Sequence, residues 1–432
     1  MTGETADTVG FDWHLAARPR AVTLSNGLRL ITVARPGTPT VAVRAYVRAG
    51  SRYDVEEQQG QSPDPPLGLA HLTEHLLFKG TRKRSQRQIF AAVERLGGAL
   101  DGGTTREYAT LSSVMPRPGL RAALHVLAEL LSEPALREGD FWNEKLVVLE
   151  EIRRARDQLE VLYDLFAATV WQNHPFRFCM RGTPGSLRDL SHEALLRFYQ
   201  ERYVARNMVL VVCGDIAHEE VRQLARESFS SLPPGIERPP VPVEEPHLRG
   251  ARTAHVSKDV GQTLLLLGVP TVSMRHEDRG PLKVAERVLG MGGSARLYQR
   301  LREEMRLVYG VRTVTAHYED TGYLAVRTAC HPQKVAQVQE AVLQEWEKLG
   351  QDGVSEDELS AAKTNYAGTQ ARRFETNHAL AGIFGVECLL HRIETFEQAL
   401  RRINAVDCED VVRVAEKYLD PGRVVIVSVG RG

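Results

Sequence analysis

The sequence is poor in cysteine and has no long apolar run, and these two absences exclude whole classes of protein. Its five cysteines, in 432 residues, are scattered and never form a C-x-x-C pair. This usage is typical of a reducing compartment and argues against a disulfide framework or a zinc site built from thiolates. No stretch of about 18 apolar residues occurs, so we expect no membrane-spanning helix. Residues 1–20 lack a basic segment followed by an apolar one, so we expect no secretory signal and a cytoplasmic protein.

A surplus of charge of either sign is also missing. The 55 Lys and Arg residues balance the 55 Asp and Glu residues, so the formal net charge is zero. This balance provides no electrostatic attraction to nucleic acid or to an anionic membrane, and we expect neither as a partner. What is present is a globular composition, 43% hydrophobic and 25% charged, in a chain long enough for two or more cores.

The strongest chemical signal is the segment His71-Leu-Thr-Glu74-His75. The surrounding residues 69–77 are mostly apolar and contain no Gly or Pro, which predicts a helix. On a helix the two histidines lie one turn apart on one face, where both imidazoles can bind one divalent ion. Glu74 borders that face and can reach a water at the metal, as in the H-x-x-E-H signature of inverted zincins. The alternative is a solvated helix face with two histidines and a glutamate.

A catalytic zinc site needs a third protein ligand, because zinc in such sites holds three and leaves one position for water. The best candidate segment is residues 141–156, a predicted helix that carries Glu144, Glu150 and Glu151. Glu144 and Glu151 are two turns apart on one face, whereas Glu150 points elsewhere. The alternative is an ordinary charged helix surface, but residues 146–149 are too apolar for a fully exposed helix.

Residues 68–81, which contain these histidines, resemble almost residue for residue the metal motif of the pitrilysin/insulinase family of zinc peptidases. The resemblance covers nearly the whole chain and is greatest to short bacterial members and to the β-subunit of the mitochondrial processing peptidase. It implies a Zn²⁺ cofactor held by His71, His75 and Glu151. It also implies that Glu74 is the general base and that Glu144 is a helper glutamate supporting the metal site.

A Gly-rich stretch further along the chain resembles the family's substrate-binding strand. Residues 97–114 begin with two glycines and continue as a predicted strand. By resemblance, this strand lies beside the zinc and pairs with the substrate backbone, with contacts at Asp101, Gly102 and Thr104. The family usually has Asn-Ala where this chain has Asp101-Gly102. Without the resemblance, the stretch is a turn followed by an edge strand.

A second substrate-binding element is implied in the second half of the chain. Arg302 and Tyr309 resemble the family's substrate-binding arginine and tyrosine. In that role they would orient the substrate or stabilise the developing oxyanion. The alternative is a surface arginine and a packed tyrosine.

The order of predicted elements indicates an α+β fold made of two homologous α/β sandwich domains, each a mostly antiparallel sheet flanked by helices. An internal duplication explains why the second half repeats the plan of the first without its histidines. We place the catalytic zinc-binding domain at residues 1–232 and a Pro-rich linker at 233–247. The domain at residues 248–432 binds no metal and contributes substrate-binding residues.

The sequence therefore predicts a zinc-dependent endopeptidase that cleaves short or unfolded polypeptides, with Glu74 as general base. The alternative is a non-catalytic structural or assembly subunit of a peptidase-like complex. By resemblance, two chains close a chamber around the substrate. Because this chain carries both the metal motif and the Arg302/Tyr309 pair, we expect a homodimer; a heterodimer with a metal-free homologue is the alternative.

Overall fold

Two β-sheets form the frame of the protein. The computed structural model describes residues 18–56, 65–154, 157–390 and 394–431. Within these ranges the first sheet has six strands: β1 (Pro19–Thr23), β2 (Arg29–Ala34), β3 (Thr40–Val47), β4 (Ala99–Thr104), β5 (Ala109–Pro116) and β6 (Met208–Gly214). The second has five: β7 (Arg252–Ser257), β8 (Thr263–Thr271), β9 (Val308–His317), β10 (Gly322–Cys330) and β11 (Val425–Gly430).

The two sheets repeat one topology. The spatial order is β1-β2-β6-β3-β5-β4 in the first sheet and β7-β11-β8-β10-β9 in the second. Each contains one parallel pair, β2 with β6 and β7 with β11, and the other pairs are antiparallel. The predicted α+β fold with an internal duplication is therefore confirmed. In this arrangement β4 and β9 are equivalent edge strands, and each has one side without a partner strand among the described residues.

Helices surround both sheets. The first half of the chain, up to residue 232, contains α1 (Tyr53–Glu56), α2 (Leu69–Leu77), α3 (Gln86–Glu94), α4 (Leu120–Ser132), α5 (Glu138–Arg153), α6 (Gln158–Val170), α7 (Pro184–Asp189), α8 (His192–Arg202) and α9 (His218–Ser228). The second half, from residue 248, contains α10 (Arg279–Gly290), α11 (Arg296–Tyr298), α12 (Val335–Gln351), α13 (Glu356–Arg373), α14 (Asn377–Leu389), α15 (Phe396–Asn404) and α16 (Cys408–Tyr418). None of the helices in the described ranges has the length and apolar content needed to cross a bilayer.

Local sequence signals set several of these boundaries. The turn between β1 and β2 contains Asn26-Gly27, and Gly27 adopts the left-handed conformation (φ 92°) that glycine accepts without strain. Ser85 begins α3 with a capping box, in which its hydroxyl accepts from the Gln88 amide and the Gln88 side chain accepts from the Ser85 amide. Ser355 begins α13 in the same way. These segments were predictable because the partners are neighbours in sequence.

Each sheet buries both of its faces, and alternate side chains of one strand serve different cores. On β3, Val41, Val43 and Ala45 pack in the core formed with α2 and α4. Between them, Ala42 and Tyr46 point to the opposite face and belong to a different core. The first sheet is therefore covered on both sides, which positions β4 and α2 rigidly against each other.

The two halves exchange a helix across the molecule. The outer face of the first sheet is covered by α14 of the second half, through residues such as Leu380 and Phe384. The outer face of the second sheet is covered by α6 of the first half, through Leu162 and Phe166. Because each half completes the core of the other, the halves form one interlocked body, whereas the domain boundaries at residues 232 and 248 stay a prediction.

A buried ionic network also joins the halves. Asp320, in the turn between β9 and β10, receives two hydrogen bonds from Arg52 of the first half, at 3.1 and 2.9 Å. His174 Nε2 lies 3.1 Å from the same carboxylate, and Arg52 is also 3.5 Å from Glu107. The side chains of Arg52 and His174 are fully buried. His174 is thus part of a structural network.

Candidate active site

Helix α2 is held at its N-terminus by a buried carboxylate. Both oxygens of Asp54 accept backbone hydrogen bonds, from Gly68 and Ala70, each at 2.8 Å. A negative charge at this end of a helix compensates the orphan N–H groups and the helix dipole. Gly68 has φ 91°, so the chain enters the helix through a conformation that favours glycine. Local sequence patterns did not reveal Asp54, because the residues that it caps are 14 and 16 positions away.

Both histidines of α2 face one point. His71 Nε2 and His75 Nε2 are 3.2 Å apart. Two nitrogen ligands of one tetrahedral zinc ion, each about 2.0–2.1 Å from it, are separated by about 3.3 Å. The ligand atoms of His71, Glu74 and His75 lie within 4.8 Å of one another. The histidine pair therefore has the separation that a shared zinc ion requires.

Glu144 on α5 orients the second histidine. Its Oε1 lies 3.0 Å from His75 Nδ1, and its Oε2 forms an ion pair with Lys79. A carboxylate on the far nitrogen of a histidine fixes the ring and raises its basicity, which is a common support for metal ligands. His71 Nδ1 is buried and has no hydrogen-bond partner in the described ranges. Of these two histidines, only His75 is oriented by a carboxylate within the described structure.

Glu74 lies between the histidines and the edge strand β4. Its Oε2 is 3.5 Å from Thr104 Oγ1. Gly102 makes this approach possible, because a Cβ atom there would stand 2.4 Å from Glu74 Oε1 and 2.5 Å from the Phe78 ring. Asp101, the neighbouring candidate, is exposed on the same strand. The structure thus brings Glu74 together with Gly102 and Thr104, which lie on one face of the edge strand β4.

Glu151 lies near this group but outside it. It follows Glu144 by two turns on α5, and its field raises the pKa of both Glu74 and His75. Its Oε2 is 3.9 Å from Arg181 Nε, and Arg181 also pairs closely with Glu160. The Glu151 side chain remains 37% exposed. Its place as third metal ligand stays a prediction, and Arg181 is a neighbour that sequence patterns did not indicate.

Burial shifts the pKa values of His71, Glu74 and His75. It lowers the pKa of His71 to about 3, and the nearby His75 and Arg181 add to this effect. Burial raises the pKa of Glu74 to about 7. Burial alone would lower the pKa of His75, but the hydrogen bond that its Nδ1–H donates to Glu144 raises it. His71 is therefore neutral at physiological pH, with the nitrogen lone pair that a metal requires.

Arg302 and Tyr309 form a separate pair on the second half. The Arg302 guanidinium carbon is 4.9 Å from the ring centres of both Tyr298 and Tyr309. Tyr309, on the edge strand β9, is 82% exposed, so the alternative of a packed tyrosine is excluded. Within the described part of the chain, neither residue contacts His71, Glu74 or His75.

Comparison with known proteins places this geometry in a family. Residues 29–183 match the family model described as insulinase (peptidase family M16). Residues 189–366 match the model described as the peptidase M16 inactive domain. The first range contains the histidine pair with Glu74, Glu144 and Glu151, and the second contains Arg302 and Tyr309.

Similar proteins span almost the same length. An uncharacterised zinc protease of Mycobacterium tuberculosis is 31% identical over 94% of this chain and 91% of that protein. A probable mitochondrial-processing peptidase subunit beta of Arabidopsis thaliana is 27% identical over 96% of this chain and 80% of that protein. A crystal structure of a Helicobacter pylori protease superimposes with a TM-score of 0.87 at 25% identity, covering 96% of this chain and 99% of that one.

Proposed function

Because this chain belongs to the insulinase family, peptidase family M16, we propose that it is a zinc-dependent endopeptidase acting on short or unfolded polypeptides. The observation that carries the proposal is the 3.2 Å separation of the His71 and His75 Nε2 atoms beside a buried glutamate. Relatives named zinc proteases support the choice of metal.

We assign His71, His75 and Glu151 as the residues that would hold zinc, and Glu144 as the group that orients His75. When bound, the ion would supply Lewis-acid activation of water and of the scissile carbonyl. The support for Glu151 is its position on α5, where its charge acts on both His75 and Glu74.

Glu74 is the proposed general base. It is buried and lies against the histidine pair, which is the position required of a group that must take a proton from a water there and return it. It would accept a proton from the attacking water and deliver that proton to the leaving amine. Thr104, whose hydroxyl is 3.5 Å from Glu74 Oε2, would hold the carboxylate in place.

The free side of β4 is the proposed substrate platform. An extended peptide can add to an open sheet edge through backbone hydrogen bonds, so binding would depend little on the peptide's sequence. Gly102 presents no side chain toward Glu74 and Phe78, so the Glu74 carboxylate can stand close to the strand on which the peptide would lie. This mode of binding requires an extended chain, and it therefore favours short or unfolded polypeptides over folded proteins.

We further propose that two copies of the chain form a homodimer, in which Arg302 and Tyr309 orient the substrate. Tyr309 is exposed and lies on the second sheet, whereas β4 belongs to the first, and both facts support a role toward a substrate or a second copy. Sedimentation should give twice the chain mass of 48.2 kDa. A purely monomeric chain would instead favour the heterodimer with a metal-free homologue.

The central test is Glu74→Gln in a fluorescent peptide cleavage assay with zinc analysis. The variant should keep zinc and lose about 10²–10⁴-fold in kcat/KM, because only the proton acceptor is removed. Cleavage at the wild-type rate would refute the assigned mechanism.

A matched pair on α5 tests the third ligand. Glu151→Gln should release zinc, whereas Glu150→Gln should retain it, because Glu150 is exposed and pairs locally with Arg153. Wild-type protein without tightly bound zinc, and without cleavage after zinc addition, would favour the non-catalytic subunit instead.

A further inference from the structure

The second half carries a counterpart of the candidate active site. Helix α10 stands against the edge strand β9 as α2 stands against β4. Glu286 on α10 corresponds to Glu74, because each accepts a hydrogen bond from a threonine of its edge strand. The Glu286 partner is Thr315, whose hydroxyl is 2.9 Å from Oε1, and the Glu74 partner is Thr104. The duplication therefore preserved the carboxylate and its threonine.

Two cations occupy the positions of the histidines. Lys283 and Arg287 precede and follow Glu286 at the spacing that His71 and His75 have around Glu74. Lys283 Nζ and Arg287 Nη1 donate to Glu286 Oε2 at 3.1 and 3.0 Å. Basic side chains that already donate to Glu286 stand at both histidine positions, so this half lacks the imidazole ligands of a first-half metal site. The counterpart has instead become a cationic site.

These side chains line a cavity of about 420 Å³ between α10, β9 and helices α13 to α15. This volume lies in the range of small-molecule sites. The lining has apolar parts, among them Met274, Ile383 and Phe396, and charged side chains that come from α10 and from the helices opposite it. A ligand with one charged end and an apolar body would complement such a lining.

The charges of the lining do not cancel. Among the described residues of the lining, five basic side chains, those of Arg279, Lys283, Arg287, Arg373 and Arg402, accompany three carboxylates, those of Glu286, Glu387 and Glu394. If the cations served only to neutralise the carboxylates, the numbers would match. The surplus of positive charge remains for a bound anion.

The arginines have unused donors. Arg279, Arg287 and Arg402 each form hydrogen bonds through Nη1, and in the described ranges none of their Nη2 groups is engaged. The Nε groups of all three are buried without a hydrogen-bond partner in the same ranges. Burying donors without acceptors is unfavourable, and guanidinium groups pair especially well with carboxylates. The arginine donors thus select an acceptor ligand.

His317 favours a ligand that also carries a hydrogen-bond donor. Its Nδ1 lies 3.1 Å from the Val272 carbonyl, so the neutral ring donates there. Burial lowers the pKa of His317 to about 4, which keeps the ring neutral at physiological pH. Its Nε2 is then an acceptor, and it is buried without a partner in the described part of the chain. An N–H group close to the anionic end of a ligand would satisfy it.

We propose that this second-half cavity binds a small organic carboxylate that bears an amide N–H beside the carboxylate and an apolar side chain. An N-acyl amino acid, or the free carboxyl end of a peptide, has this chemistry. The carboxylate pairs with the arginine donors, the N–H reaches His317, and the apolar side chain packs near Met274 and Phe396. Binding does not depend on the proposed peptidase activity, so the Glu74→Gln variant should bind equally well.

Calorimetry on the full chain with N-acetyl-L-phenylalanine tests the proposal. The acid should bind, and its uncharged amide should bind at least about tenfold more weakly, because it lacks the anionic end. Arg279→Gln and Arg402→Gln should each weaken binding of the acid by about tenfold, because each removes a guanidinium that would pair with the carboxylate. Arg372→Gln is the control, because Arg372 is exposed and its side chain donates to Thr369 one turn away on the same helix.

Different calorimetric results would overturn different parts of the proposal. Measurements on the wild-type chain alone can overturn the proposal. They do so if the acid fails to bind at millimolar concentration, or if the acid and the amide bind equally well. Unchanged affinity in both cavity variants would overturn the location. Binding of adenosine monophosphate or inorganic phosphate, but not of the acid, would overturn the carboxylate assignment.

Discussion

Replacing Asp320 with asparagine tests how the two halves are held together. In the structure its Oδ1 lies 3.1 Å from Arg52 Nη1 and 3.1 Å from His174 Nε2, and its Oδ2 accepts from Arg52 Nη2 at 2.9 Å. In Asp320→Asn one of these oxygens becomes an amino group, whose hydrogens face donors instead of accepting from them. The fully buried Arg52 then loses its bidentate pairing with a carboxylate.

The size of the effect follows from the burial of the pair. Removing one partner of a buried ion pair costs about 3–5 kcal/mol, because the remaining charge stays uncompensated. Glu107, at 3.5 Å from Arg52, still provides a second carboxylate and lessens the loss. We therefore expect Asp320→Asn to lower the free energy of unfolding by about 3 kcal/mol.

Urea unfolding followed by circular dichroism measures this loss. Asp420→Asn is the matched control, because Asp420 is 38% exposed and pairs with Arg423 within one turn. Its replacement should cost at most about 1 kcal/mol, as is usual for exposed pairs. In a double-mutant cycle, adding Arg52→Met should cost much less in the Asp320→Asn background than in the wild type.

The difference in unfolding free energy between the wild type and Asp320→Asn should depend on pH. Burial alone would raise the pKa of Asp320, but hydrogen bonds from His174 and Arg52 lower it well below its usual range. A lowered folded-state pKa stabilises the fold above the unfolded-state pKa of about 3.9, and this contribution is lost as the pH falls through the folded-state pKa. The gap between wild type and Asp320→Asn should be constant near neutral pH and shrink in acid. A gap under about 1 kcal/mol at pH 7 would refute the reasoning.

Three further predictions concern the candidate active site. Glu144→Gln should weaken zinc binding by about 10–100-fold in a chelator competition, because His75 loses its orienting carboxylate; unchanged affinity would contradict this role. Gly102→Ala should abolish most peptide cleavage, because its Cβ would collide with Glu74, whereas Gly103→Ala has only one contact, at 3.7 Å, and should stay active. Tyr309→Phe should lower kcat/KM by about tenfold without a change in melting temperature, since the ring is exposed and only its hydroxyl is lost; a stability loss with normal kinetics would indicate packing instead.

Short-range patterns explain how much of the site was predictable. The His71/His75 pair depends on a four-residue helical spacing, which any amphipathic helix reproduces. Glu144 and Glu151 likewise share a face of α5 because of helical periodicity. The turn at Asn26-Gly27 needs only its own two residues. In each case the sequence contains the geometry within a few positions.

Contacts between distant residues were not predictable in this way. Asp54 caps α2 across an intervening segment, and Arg181 faces Glu151 from a different element. The pairing of Arg52 with Asp320 joins residues 268 positions apart. Such contacts depend on the completed tertiary structure, and neither periodicity nor composition contains a signal for them.

The exchange of α6 and α14 has a consequence for synthesis on the ribosome. The first sheet is complete in sequence once β6 has emerged, yet its outer face stays bare until residues 377–389 follow. The nascent chain therefore displays an apolar surface, including Ile31 and Val211, throughout most of the translation of the second half. For the same reason, a protease cut within residues 233–247 should leave two fragments that remain associated, because neither can cover its own sheet alone.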